Sequence, residues 1–262
     1  MVFVWGNNRL REILEEGRLA VGSCVYSSSP AMVELMGFCG LDFCRIDNEH
    51  SWRRDESAEH MMRAAKVSGI VPLLRIDRGD PELVRKALEI GAGGILVPHV
   101  LTAGEVEEVV RAAKFPPRGE RGIGSLCLSD RWGTVGAREW MRWSDEEQMI
   151  GVMIEDVRAM EQIDEIMAVD GLDYVLFGPS DFSVSIGHPG EGGHPRVMEA
   201  LRETIRAANR HGVYVCRGVG HPWVENARKM VELGCHMIEV GHDASILKEI
   251  WRRTGEEIRA LR

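Results

Sequence analysis

The stretch GVMIEDVRAMEQIDEIMAVDGLDYVLFGPSD (151–181) decides the fold. It opens on an apolar run, GVMIE, that closes with the carboxylate of Glu155. It ends on a second apolar run, YVLFGPSD, that closes with Asp181. One strand-and-helix repeat separates the two. Further out the pattern recurs: Arg75 ends IVPLLR, and Asp47, Glu49 and His50 end CRIDNEH. Charge at the end of a buried strand is costly to desolvate unless it is paired or bound to a metal. Several such ends in one chain predict that they meet at a common site.

Eight short apolar runs can be counted along the sequence: LAVGSCVY (19–26), FCRID (43–47), IVPLLRI (70–76), GILVPHV (94–100), GVMIE (151–155), YVLFG (174–178), VYVCRGV (213–219) and HMIEVG (236–241). They are continuous rather than alternating, as strands of a parallel sheet covered on both faces should be. Helical segments lie between most of them. DPELVRKALEIG has Asp80 to cap its start, Pro81 at the first helical position and Gly91 past its end. TAGEVEEVVRAAK carries the Thr102/Glu105 capping box, and HPWVENARKMVELG repeats the proline-start, glycine-stop pattern. Eight strands with intervening helices predict an α/β protein, a single (β/α)8 TIM barrel over residues 1–262, close to the roughly 250 residues usual for that architecture. Two spacings break the rhythm. Residues 114–150 are long, with a helix expected near 137–148, and FSVSIGHPGEGGH (182–194) reads as a glycine-rich loop directly after Asp181. At the C-terminus, Ile246, Leu247, Ile250, Trp251, Ile258 and Leu261 share one helical face. That helix is either the last of the barrel or an arm exchanged with another subunit of a homo-oligomer.

Acidic residues (41) exceed Lys and Arg (32), giving a net charge of -9 that repels phosphate backbones and anionic lipid, so neither nucleic acid nor membrane is an expected partner. No apolar run approaches the ~18 residues of a membrane span, and MVFVWGNNRLREIL lacks the layout of a secretory signal. The six cysteines show no CxxC or zinc spacing, which fits buried free thiols in a reducing cytoplasm.

In such barrels the reacting groups sit at the C-terminal ends of strands. That filter selects Asp47, Glu49 and His50, then Arg75, His99, Glu155 and Asp181. Glu155 and Asp181 come from neighbouring strands and could converge on one hard divalent cation, Mg2+ or Mn2+, that keeps several waters. Alternatively, each is a salt-bridged acid at the barrel rim. Arg75 presents a planar fork suited to a carboxylate or enolate, and His50 is a candidate proton shuttle near neutral pH. No lysine ends a strand, which argues against Schiff-base chemistry.

In order along the chain, GLDFCRIDNEH, VPLLRI, ALEIGAGGILVPHV, FPPRGERGIGS, MIED, FGPSDFSVSIGHPG and IEVGHDASIL resemble the HpcH/HpaI family of class II, metal-dependent pyruvate aldolases. The resemblance implies an aldehyde-lyase that cleaves a 4-hydroxy-2-oxo acid to pyruvate and an aldehyde through a pyruvate enolate. It implies a divalent metal (Mg2+, Mn2+ or Co2+) on Glu155 and Asp181, Arg75 at the C2 oxygen of pyruvate, and His50 assisting proton transfer. It also implies Asp47 orienting its neighbours, Glu89 buttressing the histidine, and the backbone of Gly178, Pro179, Ser180 and Asp181 at the pyruvate carboxylate. A hexamer follows from the same resemblance. Three positions depart from the family pattern: Glu89 stands where Asp is usual, Met153 where Gln is common, and Ser180 where a small apolar residue is usual. These bear on substrate preference rather than on metal binding. The alternatives are a citryl- or malyl-CoA lyase, for whose phosphates RGERG (118–122) is the only basic candidate, a phosphate-binding barrel isomerase, and a non-catalytic metal-binding barrel.

Overall fold

The computed structural model describes residues 7–50, 55–77, 79–124 and 126–261. The start of MVFVWGNNRLREIL and the last residue of FPPRGERGIGS lie outside these. Strands β1 (Ala20–Val25), β2 (Phe43–Asp47), β3 (Val71–Arg75), β4 (Gly94–Val97), β5 (Met149–Ile154), β6 (Tyr174–Phe177), β7 (Tyr214–Val219) and β8 (Met237–His242) form a closed barrel in sequence order. Every neighbouring pair is parallel, including β8 with β1. The helices are α1 (Arg9–Glu15), α2 (Pro30–Phe38), α3 (Asp55–Ser68), α4 (Pro81–Glu89), α5 (Ala103–Ala113), α6 (Ala137–Glu147), α7 (Ile163–Met167), α8 (Pro179–Ser185), α9 (Pro195–His211), α10 (Trp223–Leu233) and α11 (Asp243–Arg259). A 3-10 turn, Val157–Gln162, precedes α7.

The continuous apolar runs are explained by two cores. Alternate strand residues such as Ile46, Leu74, Ile95, Val152, Val175 and Ile238 face the helices. The others, including Phe43, Leu73, Leu96, Met149, Met153, Tyr174 and Met237, fill the barrel interior, with Leu10, Ile13 and Leu14 of α1 packed in the same cluster. Large and small residues interlock there. A Cβ on Gly151 would fall 2.2–2.5 Å from the Tyr174 ring, and the Tyr174 hydroxyl, buried with that ring, donates to Ile95 O at 2.9 Å. Removing that hydroxyl from water without a partner would be costly, and a main-chain carbonyl answers it.

The local signals act as read. Asp80 Oδ1 accepts from the N–H groups of Glu82 (2.7 Å) and Leu83 (3.3 Å), and the Thr102/Glu105 box closes in both directions. The stretch 182–194 is a correction: its first residues continue α8, so Asp181 sits in the first turn of a helix and not at a strand end. The cause is Pro179, pre-set for a first helical position, directly after Gly178. Trp251, Ile258 and Leu261 are exposed on the C-terminal segment. Among the described residues no helix is long and apolar enough to cross a membrane.

Candidate active site

Side chains along a strand alternate between faces, and that parity builds the site. On β2, Phe43, Arg45 and Asp47 share the inner face. The β2–β3 register sets Asp47 beside Arg75. On β5, Met149, Gly151 and Met153 point inward, so Glu155, one residue past the strand, continues the same row. Asp47 (0% exposed), Arg75 (4%) and Glu155 (3%) are therefore buried at the C-terminal mouth of the barrel.

The mouth is a chain of alternating charges. Arg75 Nη2 donates to Asp47 Oδ2, and Arg75 Nη1 lies 2.9 Å from Glu49 Oε2. Glu49 Oε1 lies 2.7 Å from His99 Nε2. His99 Nδ1 lies 3.1 Å from Glu155 Oε1, which also accepts the His99 backbone N–H at 2.8 Å. Both contacts to Glu155 come from one residue because His99 has a left-handed backbone, φ 59°. This conformation is uncommon outside glycine and tends to mark functional positions. Asp47 Oδ1 accepts the N–H of His50 at 2.9 Å, so a single carboxylate holds both Arg75 and the turn that carries His50. The His50 ring is half exposed, its Nε2 3.8 Å from Glu49 Oε2.

Glu155 and Asp181 are close enough to repel. Burial pushes the Glu155 carboxyl above its ordinary range, the His99 N–H and imidazole oppose the rise, and the charges of Asp181 and Glu49 add to it. The carboxylates at the mouth thus outnumber the Arg75 guanidinium. Glu49 Oε2 is also buried without a hydrogen bond among the described residues, its contact with Arg75 being one of charge only. An unneutralised set of oxygen donors with a spare buried lone pair fits a hard divalent cation. Among the described residues, the one set of three metal-type donors whose atoms all lie within 4.8 Å of one another is His188, Glu191 and His194. Its geometry does not favour a shared ion. The two rings stack at 4.0 Å and 27°, so their in-plane lone pairs run side by side, and His194 Nδ1 is engaged in capping α9.

Gly178 is buried against Glu155, with no room for a side chain: a Cβ would stand 2.9 Å from Glu155 Cβ and 3.0 Å from Oε2. Pro179 follows as the first residue of α8, leaving Ser180 and exposed Asp181 as its first residues with backbone N–H groups. Met153 turns its sulfur to Arg75, Nη1 to Sδ 3.6 Å, a weak acceptor that leaves donor capacity on the guanidinium. Glu89 is not brought to His50 by any contact among the described residues. It pairs with Arg85 (3.0 Å), has Oε1 buried without a hydrogen bond among the described residues, and lines a cavity of about 350 Å³ with Asn48 and Trp132.

Arg45 and Glu239, absent from the candidates that the sequence suggests, form a buried ion pair beneath the mouth. The signal was available: each is a charge inside an apolar strand run, FCRID and HMIEVG, where an unpaired charge would be prohibitive.

Comparison with known proteins places the chain in a family. The chain is 34% identical over 241 residues to a hydroxypyruvate/pyruvate aldolase of Pseudomonas aeruginosa, covering 92% of this chain and 88% of that one. It is 32% identical over 247 residues to a 2-keto-3-deoxy-L-rhamnonate aldolase of Salmonella gallinarum, covering 93% and 90%. Among solved structures, the HpcH/HpaI aldolase from Desulfitobacterium hafniense DCB-2 superposes with a TM-score of 0.90 at 34% identity, covering 95% and 96% of the two chains. The pattern of one family matches residues 21–249, nearly the whole barrel. The chain belongs to the HpcH/HpaI aldolase/citrate lyase family, whose named relatives here are carbon–carbon lyases.

Proposed function

We propose that the chain is a divalent-metal-dependent pyruvate aldolase, cleaving a 4-hydroxy-2-oxo acid to pyruvate and an aldehyde, with Glu155 and Asp181 as metal ligands. The observation that carries the reading is Arg75, a permanent cation clamped between Asp47 and Glu49 at a mouth where carboxylates are in excess. A bound dication supplies Lewis acidity toward the oxygens of the 2-oxo acid. Arg75 stands at the C2 oxygen and gains most when that oxygen becomes an enolate, so it favours the transition state over the ground state. The C4 hydroxyl proton passes to His50, the C3–C4 bond breaks, and its electron pair moves through C2 to the oxygen facing Arg75. The aldehyde leaves, and return of a proton to C3 gives pyruvate. Asp47 holds both partners of this exchange in register. The N–H groups of Ser180 and Asp181, behind Gly178 and Pro179, are placed to receive the substrate carboxylate. Glu89 acts on His50 only if a second copy presents it, which accords with a homo-oligomer whose exposed α11 face, around Trp251 and Ile258, is covered by a neighbour. Six free thiols, four of them buried, suit a reducing cytoplasm.

The CoA-lyase alternative is weakened by Arg121. It is 4% exposed, donates to Ser144 Oγ at 2.8 Å and packs 4.6 Å from the Phe115 ring centre, so RGERG spends its second arginine inside the fold rather than on a phosphate. The test is exchange of pyruvate methyl protons for deuterium with Mg2+, Mn2+ and Co2+ in turn, followed by a panel of aldehydes. Metal-dependent exchange that disappears in Arg75→Ala is expected. Wild-type protein without such exchange, or a variant that exchanges normally, would refute the assignment.

A further inference from the structure

Below the mouth lies a second pair of charges that the proposed reaction does not touch. Arg45 and Asp47 are two residues apart on β2 and face inward together. Arg45 grips Glu239 of β8 with two parallel hydrogen bonds, Nε to Oε1 at 2.7 Å and Nη2 to Oε2 at 2.8 Å, and its remaining arm, Nη1, reaches Asp47 Oδ2 at 3.2 Å. Glu239 is 2% exposed. The contact spans a strand: β1 runs between β8 and β2, with Gly22 opposite Glu239 and Cys24 opposite Arg45. The space beside Gly22 is taken by the Phe43 ring, and the small, buried Cys24 stands opposite Arg45. The surroundings are dry enough that burial pushes the Cys24 thiol up to about 12.

Stability does not explain this arrangement. Buried ion pairs cost as much to desolvate as they return, and replacing both partners with apolar residues is often neutral or favourable. What the pair does is geometric. Glu239 occupies two donors of the Arg45 fork and so fixes the direction of the third, which ends on the same Asp47 oxygen that holds Arg75.

We propose that Arg45 and Glu239 are positioning residues, a buried clamp that fixes Asp47 and through it aims Arg75 at the developing enolate oxygen. The inference rests on the pyruvate-aldolase reading.

The test replaces both partners at once, Arg45→Met with Glu239→Met, because removing one would strand the other. Circular dichroism, the thermal midpoint and Mn2+ affinity should stay near wild type, the metal ligands being untouched. The KM for pyruvate in methyl-proton exchange should change less than about twofold, since Arg75 acts chiefly on the charge that develops in the transition state. The kcat should fall between about 10- and 100-fold, the scale of a catalytic group displaced by up to about 1 Å. Arg45→Lys is the second variant: it keeps the charge near Glu239 but lacks the fork, and should lose kcat with KM retained. A double variant exchanging at the wild-type kcat would overturn the proposal, as would a loss of rate matched by an equal loss of Mn2+ affinity. If the double variant does not fold, a wild-type kcat in Arg45→Lys overturns it. Absence of exchange in the wild-type enzyme would instead sink the aldolase reading itself.

Discussion

Gly178→Ala adds one methyl group, and the structure says where it goes. The new Cβ would stand 2.9 Å from Glu155 Cβ, 3.0 Å from Glu155 Oε2 and 3.3 Å from Met153 Cε. Non-bonded carbons settle at about 3.5–4.0 Å, so Glu155 and the end of β6 must part by roughly 0.5–1 Å. The backbone is not at issue, because Gly178 has φ -97°, a value alanine adopts freely. Overpacking of this kind costs about 1–3 kcal/mol of stability. Glu155 is buried and anchored to His99, so it has no solvent to swing into and the displacement falls on the carboxylate itself. A shift on the order of 1 Å in a catalytic group costs about 100-fold in rate, or about 2.7 kcal/mol in the barrier. The assay is methyl-proton exchange of pyruvate by NMR, with Mn2+ affinity by calorimetry and the thermal midpoint measured alongside. Gly104→Ala is the control: it lies in α5 with nothing within 4 Å of its added Cβ, and should leave all three unchanged or slightly raise the midpoint. A Gly178→Ala enzyme with wild-type exchange and wild-type Mn2+ affinity would show that Glu155 is not a ligand whose placement matters.

Two other measurements bear on the chemistry and the fold. Asp181→Asn removes one of two anionic ligands and should weaken Mn2+ binding at least about 10-fold, since even indirect contacts to a metal are worth that much; an unchanged calorimetric titration would contradict the site. His236 accepts the Val215 N–H on Nδ1, and burial lowers its pKa below the ordinary 6.5. The unfolded chain therefore takes up the proton first. The stability this supplies is complete above pH 6.5 and is lost as pH falls toward the lower folded value. His236→Asn, which keeps an acceptor but cannot titrate, should flatten the decline of the thermal midpoint below pH 6.5, and an unaltered slope would rule His236 out as its source.

Much of this molecule is legible in its order of residues. Apolar runs of strand length, punctuated by Asp80, Thr102 and the helix-ending glycines, dictate a strand-helix repeat because backbone groups buried in a sheet and helix starts left without acceptors have few other solutions. Charge closing an apolar run made Asp47, Arg75 and Glu155 visible as candidates before any coordinates, and strand parity turns all three inward together. Asp181, read as closing an apolar run with a loop after it, lies instead in the first turn of α8, a helix that Pro179 opens.

What the sequence could not decide was which charges answer one another. Ring closure sets β8 beside β1, and only that closure carries Glu239 across to Arg45, 194 positions away. The left-handed turn at His99, which lets one residue address Glu155 twice and Glu49 once, likewise appears only when the neighbouring strand ends are in place. A linear pattern fixes the face on which each side chain lies, because that follows from local backbone geometry. Pairing between distant charges depends on the distances that closure creates, and electrostatic energy falls with distance in space, not with separation along the chain.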